Sequence, residues 1–472
     1  MEERRFVPRA SYAAVLAVVV WGTLSFGAVY PWAYKPLAVG CALVGLTGLT
    51  LGRRHRPPII ALAAAFALFA AAVVVQLIPL SREQLSQVSP STIAFLSRFS
   101  FAFIVADSAH PISIAPDKTL LGLLLLIALA LFLLGNARLM SRFGAQPIVL
   151  GLICFGGALA VFGIVQEAVN LTEEHTILVY GFWKPQYLGS RPFGPFINRN
   201  HFAGWIVMTL PVALGYLYAT IEKTWRGAGR ENRVGLLASS IGGRLLLLLF
   251  ACAIMFMSAL MTRSRSGIAA VGVVALLAGS TVVLKQATMR ARLLSASLFV
   301  LIVGATVAWA GGQTIMGRAL QADSNNSSIG GRIPIWRDAL TIIRDFSPWG
   351  SGLDTYGTAT LVYQTTPLEI HFQEAHNDYL QLAAEGGYLL GVPIVILVGI
   401  FIRDVRRRFR ESPKEGMTYW LRVGAVMGLL SIAAQALVEF SLQMPGNAAL
   451  FALVAAIALH QSPNLRDRST SA

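Results

Sequence analysis

Charge is what this chain is short of. Asp, Glu, Lys and Arg make up 13% of its 472 residues, against roughly 25% in soluble domains. Hydrophobic residues reach 55% and the mean hydropathy is +0.63. That balance excludes an ordinary soluble enzyme and predicts a polytopic membrane protein. Cysteine is scarce as well. Cys41, Cys154 and Cys252 each sit in an apolar run, so there is no disulfide framework to read. The chain also lacks zinc-ligand spacing, a Gly-rich phosphate loop and an aromatic RNA-binding motif. Its net charge of +15 therefore does not point to nucleic acid. In a membrane protein, basic residues chiefly set orientation.

What is there is a series of apolar runs. A spanning helix takes ~20 mostly apolar residues. That template gives twelve spans: 12–31, 36–52, 59–80, 119–136, 147–169, 201–221, 245–262, 267–284, 293–311, 387–403, 418–439 and 446–461. The first is too long for a signal-peptide core and is read as an uncleaved span. Most of the 38 Lys and Arg residues collect on one side of this topology. They lie at Arg4, Arg5 and Arg9, in Arg53-Arg54-His55-Arg56, at Arg138 and Arg142, in 223–244, 285–292 and 403–422, and at Arg466 and Arg468. The positive-inside rule puts that side and both termini in the cytoplasm.

The fold expected is all-α, with about 12 transmembrane helices and one large helical loop on the exterior side. Residues 1–311 hold nine spans, 312–386 the large loop, and 387–472 three spans and a cytoplasmic tail. Two other exterior loops, 81–118 and 170–200, are long. Within the large loop, apolar spacing predicts a helix over Ile333–Ile343, broken by the Pro and Gly of Phe346–Gly352. A second is predicted from about Glu374 to Gly386.

Basic residues on the exterior run against the orientation bias, and so carry information. Arg263 and Arg265 occupy a short turn between two spans. They read either as interfacial anchors or as an anion site, since guanidinium forks grip phosphate oxygens. Arg191 and Arg199 flank two Gly/Pro turns before the sixth span. Asn198 can satisfy exposed backbone there, Asn200 reads as the helix N-cap, and that helix amino terminus favours an anion. Arg332 follows Gly330-Gly331 and can reach a ligand from that joint. Arg337 reads as a solvated partner of Asp338 or Asp345.

His376 is framed by Glu374 and Asp378 at i−2 and i+2. An imidazole there reads as a general base toward a hydroxyl or as a polar surface residue. His371 lies five residues away, which misses the helical zinc-pair spacing, so no metal is expected. Glu385 either caps the next span or steadies an arginine. Glu167, Arg422 and Glu439 fall near span ends.

Four segments occur in order: Arg191-Pro-Phe-Gly-Pro-Phe-Ile-Asn-Arg-Asn-His-Phe-Ala203, Thr262-Arg-Ser-Arg-Ser-Gly267, Gly331-Arg-Ile-Pro-Ile-Trp-Arg-Asp-Ala339 and His376-Asn-Asp-Tyr-Leu-Gln381. Together they resemble the bacterial O-antigen ligase family, within the wider O-antigen ligase and polymerase superfamily, over roughly residues 150–400. Residues 1–140 carry no such motif. The resemblance implies a GT-C type, metal-independent, inverting glycosyltransferase with no cofactor. It would work in the bacterial inner membrane, moving a glycan from undecaprenyl pyrophosphate to lipid A–core oligosaccharide at the periplasmic face.

Carried over to this chain, Arg191 and Arg265, with Arg332, would hold the donor pyrophosphate. His376 would be the base acting on the acceptor hydroxyl. Arg199, Arg263, Asn198, Asn377 and Asp378 would support them. One departure is that Glu-Ala precedes His376, where a second histidine-bearing sequence would support proton relay. The alternatives are a polymerase on the same lipid carrier, a protein O-oligosaccharyltransferase, and a non-enzymatic polysaccharide transporter. The transporter would want charge inside the spans, which these nearly lack.

Overall fold

The computed structural model describes residues 3–52, 57–105, 109–170, 178–183, 191–227, 240–284, 330–365 and 371–461, with a few isolated positions between 288 and 297. Regular structure among them is helical, with only three isolated β-bridges beside it. In chain order the α-helices are α1 (Glu3–Leu24), α2 (Pro31–Leu51), α3 (Pro57–Gln76), α4 (Arg82–Val88), α5 (Pro90–Phe99), α6 (Phe101–Val105), α7 (Pro116–Phe143) and α8 (Gln146–Asn170). They continue as α9 (Arg199–Gly227), α10 (Ser240–Met261), α11 (Arg265–Leu284), α12 (Ile333–Asp345), α13 (Tyr356–Tyr363), α14 (Asp378–Glu411), α15 (Met417–Gln435) and α16 (Pro445–Leu459). Proline opens α2, α5, α7 and α16 at their first position, where its missing N–H costs nothing.

Eight of these helices are long and apolar enough to cross a membrane: α2, α3, α7, α8, α9, α10, α14 and α15. Shorter apolar helices lie in α1, α11 and α16. The twelve-span reading thus meets eight candidate spans and three shorter helices among the described residues. Its ninth span, 293–311, lies outside them apart from Leu293 and Ser297, as does the whole 312–329 part of the large loop. Leu247, Phe250, Leu276 and Val395 are exposed on the helix faces, as expected for side chains turned to lipid rather than water.

The packing of α9 on α15 sets the geometry that matters for function. Gly424 lies against the Pro211 carbonyl and Gly428 against that of Met208; a Cβ at either would come within 2.2 and 2.6 Å of those oxygens. Small residues let membrane helices approach this closely. The helices run antiparallel, because rising numbers on α15 meet falling numbers on α9. The start of α9 is thereby brought beside the end of α15, where the Gln435 side-chain amide donates to the Asn200 carbonyl at 3.2 Å.

A cap covers this end of the bundle, and it is built from two segments. Leu85, Phe95 and Phe103 of α4–α6 share one core with Ile342, Phe346 and Tyr356 of the α12–α13 region. Trp349 Nε1 donates to the Val88 carbonyl at 2.8 Å. Gln76, fully buried at the end of α3, ties the cap to the bundle. Its amide donates to the Trp349 and Glu385 carbonyls, both at 2.9 Å, and its Oε1 accepts from Leu353 N at 3.0 Å.

The expected helix at 333–343 is α12. The one expected from Glu374 to Gly386 starts instead at Asp378 and ends, as expected, where the next span begins. Gly387, at φ +52° and ψ −148°, is itself non-helical, so α14 is two helical pieces joined at a kink there, the second running to Glu411. A side chain there would strike the Pro348 carbonyl, 2.3 Å from its Cβ position.

Candidate functional site

The Arg191–Ala203 segment is pinned from below by aromatic rings. Phe193 and Phe196 pair backbone to backbone across Gly194-Pro195, with N–O distances of 3.1 and 3.2 Å. Gly194 takes φ +56°, a conformation that glycine adopts without penalty. Both phenylalanines are buried and pack on Phe202, at centroid distances of 4.6 and 6.2 Å. The polar ends of the segment are held on the other side. Arg199 N donates to the Arg191 carbonyl at 3.0 Å, which keeps these two positions adjacent. Helix α9 begins at Arg199, so Asn198, not Asn200, takes the capping place. Asn198 Oδ1 accepts from Asn200 N at 2.9 Å, satisfying an otherwise unpaired donor.

The Thr262–Gly267 turn is shaped by its hydroxyls. Ser264 Oγ accepts from Gly267 N at 3.1 Å and starts α11, while Thr262 Oγ1 accepts from Ser264 N at 3.2 Å. Arg263 has φ +50°, a backbone state costly for a side chain with a Cβ. Arg263 and Arg265 are exposed, and the serines between and beside them are buried.

His376 shares that strained conformation, at φ +50°. The two carboxylates framing it in sequence turn elsewhere. Glu374 Oε2 accepts from Gln381 Nε2 at 2.6 Å, and Asp378 Oδ1 from Gln443 Nε2 at 3.2 Å. Asn377 caps α14, its Oδ1 accepting from Tyr379 N and Leu380 N at 3.0 Å each. Its amide donates to the Leu437 carbonyl at 2.8 Å. The His376 ring stands edge-to-face against Phe440, at 4.6 Å and 89°.

The carboxylate that does face His376 is Glu439, four residues past the end of α15 and 1% exposed. Its Oε2 lies 3.8 Å from His376 Nδ1, an ion-pair separation longer than a hydrogen bond. Neither atom has a hydrogen-bond partner among the described residues. Its Oε1 accepts from Asn200 Nδ2 at 2.6 Å and Ser266 Oγ at 3.4 Å, and pairs with Arg332. One buried carboxylate thus touches all four sequence motifs. Asn200, Ser266 and Arg332 each stand at the amino end of a helix, where the backbone favours negative charge.

A cavity of about 1090 Å³ opens beside this junction. Arg191, Asn198, Arg199 and His376 line one part of it, and Asp354 and Glu374 stand on its wall too. It continues into an apolar lobe between α2, α3 and α7, lined by Leu37, Phe69, Leu125 and Leu129. Arg332 approaches from the Glu439 side, and Arg265 adjoins Ser266. Arg191 and His376 therefore share the cavity, whereas Arg332 is engaged by a carboxylate.

The remaining expected partners differ. Asp338 accepts from Thr365 N and Oγ1, at 3.0 and 2.7 Å, and Asp345 pairs with Arg344, so neither is given to Arg337. Among the described residues Glu385 pairs with no arginine. It accepts from Asp354 N at 2.9 Å and Tyr356 N at 3.1 Å and holds the start of α13. In the cap, burial pushes the Glu374 carboxyl up to about 8; its Gln381 hydrogen bond opposes this and nearby Asp354 and Asp378 add to it. Burial likewise raises Asp354 to about 6, against the pull of Lys118.

The fold and the site define an all-helical, multi-pass membrane protein whose bundle holds a cavity with both polar and apolar walls. A family model described as Wzy_C, O-Antigen ligase, matches residues 250–395. That match covers the Arg263–Arg265, Arg332 and His376 segments and supports the O-antigen ligase family, with a ligase- or polymerase-type function. The Arg191 segment and Glu439 lie outside it. No curated protein matches the chain.

Proposed function

We propose that the chain is a membrane glycosyltransferase of the O-antigen ligase kind. It would move a glycan from undecaprenyl pyrophosphate to lipid A–core oligosaccharide at the periplasmic face. The observation that carries this is the two-part cavity. Its polar part offers Arg191, Arg199 and His376, and its apolar lobe reaches between three bundle helices. A substrate with an anionic head and a long hydrocarbon tail matches both parts at once.

In this reading His376 Nδ1 faces Glu439, which leaves Nε2 for the acceptor. Nε2 takes the acceptor hydroxyl proton as that oxygen attacks the anomeric carbon. The bond from the anomeric carbon to the phosphate oxygen breaks on the opposite face, with inversion. Glu439 favours the imidazolium that results, as a carboxylate behind a catalytic histidine does. The departing pyrophosphate gains charge, and Arg191 and Arg199, which line the cavity, are positive charges set to receive it, with Arg265, beside Ser266 and outside that lining, expected to reach it from the neighbouring turn.

The test is transfer by the purified chain from a lipid-linked glycan to separate acceptors. Lipid A–core as the productive acceptor supports the ligase; chain extension on a second lipid-linked glycan makes it a polymerase. His376→Ala is expected to lose transfer by ~10²–10⁴-fold, the range for a general base, and Arg191→Ala and Arg265→Ala to lose it comparably. Full activity in all three would sink the mechanism. Activity should persist in excess chelator; a loss that a divalent ion restores would refute the metal-free reading.

A further inference from the structure

His201 has no part in the steps above, although it lines the same cavity. It is 5% exposed and sits in the first turn of α9. Its N–H donates to the Asn198 carbonyl at 3.0 Å, and its own carbonyl accepts from Asn447 Nδ2 at 3.0 Å. The ring meets Phe440 edge-to-face, at 4.7 Å and 79°. His376 meets that same phenyl ring at 4.6 Å and 89°. A single aromatic side chain therefore spaces two imidazoles.

His201 Nε2 is buried with no hydrogen-bond partner among the described residues. A buried polar atom left unmade costs free energy that an apolar ring of similar size would not. Packing alone thus gives no reason for a histidine at this position, while a bound ligand in the cavity would.

We propose that His201 Nε2 is a contact point for a sugar hydroxyl of the glycan being transferred, at a subsite built around Phe440. The proposal rests on the glycosyl-transfer reading and extends it. A hydroxyl both donates and accepts, so it satisfies a neutral imidazole in either tautomer. Phosphate is served by the guanidinium groups of Arg191 and Arg199, which stay charged in any setting. An aromatic ring flanked by a few fixed polar atoms is a common way to hold a largely apolar ring that bears hydroxyls.

The experiment compares the full-length wild type with His201→Phe, which keeps an aromatic ring against Phe440 and removes both nitrogens. Three quantities are read: transfer kinetics, Tm, and affinity for undecaprenyl pyrophosphate with and without its glycan. For His201→Phe, kcat/KM should fall about tenfold, near the worth of one hydrogen bond. Its Tm should be equal or higher. Affinity for the bare carrier should stay within about twofold, while the extra affinity conferred by the glycan is lost.

Wild-type kinetics and wild-type glycan preference in this variant overturn the proposal. An equal loss of bare-carrier binding also overturns it, by making His201 a phosphate contact. If His201→Phe does not fold, His201→Leu reads the same quantities, and His201→Gln should recover part of the loss. A wild-type protein that transfers no glycan fails the parent reading instead. The glycan-dependent difference in affinity still decides this one.

Discussion

Helix α15 has a buried charge near each end, and the two are treated differently. Arg422, in its second turn, is fully buried. Every guanidinium nitrogen is spent. Nε donates to the Ala458 carbonyl at 2.9 Å, Nη1 to the Arg408 carbonyl and Ser412 Oγ at 3.1 and 2.9 Å, and Nη2 to the His460 carbonyl at 2.7 Å. Glu439, just past the other end, is as deeply buried but only half satisfied. One oxygen is saturated by Asn200, Ser266 and Arg332; the other faces His376 with no hydrogen bond. A buried charge must find partners or destabilise the fold. Arg422 has found them all among helix ends, and so acts as a staple. Glu439 keeps an oxygen in reserve for a group whose charge changes.

Glu439→Gln should break that contrast most sharply. The amide fills the same space and can still accept from Arg332, but it cannot favour an imidazolium at His376. Transfer should fall by ~10³-fold, equivalent to about 4 kcal/mol in the barrier, with Tm changed little. A glutamine variant with wild-type turnover would return Glu439 to a purely structural role. Arg422→Ala should do the reverse. It leaves three carbonyls and a hydroxyl without donors and costs about 3 kcal/mol of stability or more, read as lower Tm and poorer yield. The surviving folded fraction should transfer at the normal rate; a selective loss of turnover would remove the distinction.

Local patterns survived the passage from sequence to structure better than partners did. Apolar runs foretold the bundle helices because length and hydropathy are carried by neighbouring residues. The polar motifs were legible for the same reason, each being a turn that shapes itself: Gly194 and the Phe193–Phe196 pair, or Ser264 over Gly267. The carboxylate behind His376 was not. His376 lies at φ +50° and Asn377 at φ −162°, so Glu374 and Asp378 do not project beside the imidazole as spacing alone suggests. Glu439 reaches it from more than sixty positions along the chain, through the antiparallel fit of α9 on α15. The one hint was a lone acidic residue at the end of an apolar span, where charge is costly and so rarely idle. Helices α4–α6 are too short for periodicity to reveal, and with them the second half of the cap went unseen.

The smallest expected effect concerns a third buried charge set, the cap carboxyls, and asks which of the two behaviours they follow. Glu374 has its Gln381 hydrogen bond, and its pKa is raised from 4.5 to about 8, first by burial. Asp354 is raised from 3.8 to about 6 for the same reason. A raised carboxyl pKa means that the folded chain holds a proton which the unfolded chain releases. The stability tied to Glu374 is thus fully present below pH 4.5 and lost as pH climbs through about 8; that tied to Asp354 is lost by about pH 6. Wild-type Tm should therefore decline by a few degrees between those limits. In Glu374→Gln, which mimics the protonated acid at every pH, the decline should be shallower while turnover at fixed pH stays near normal. An unchanged slope would mean that Glu374 titrates alike in both states. A flattened slope with collapsed turnover would move Glu374 from the Arg422 kind of charge to the Glu439 kind, since it stands on the wall of the same cavity.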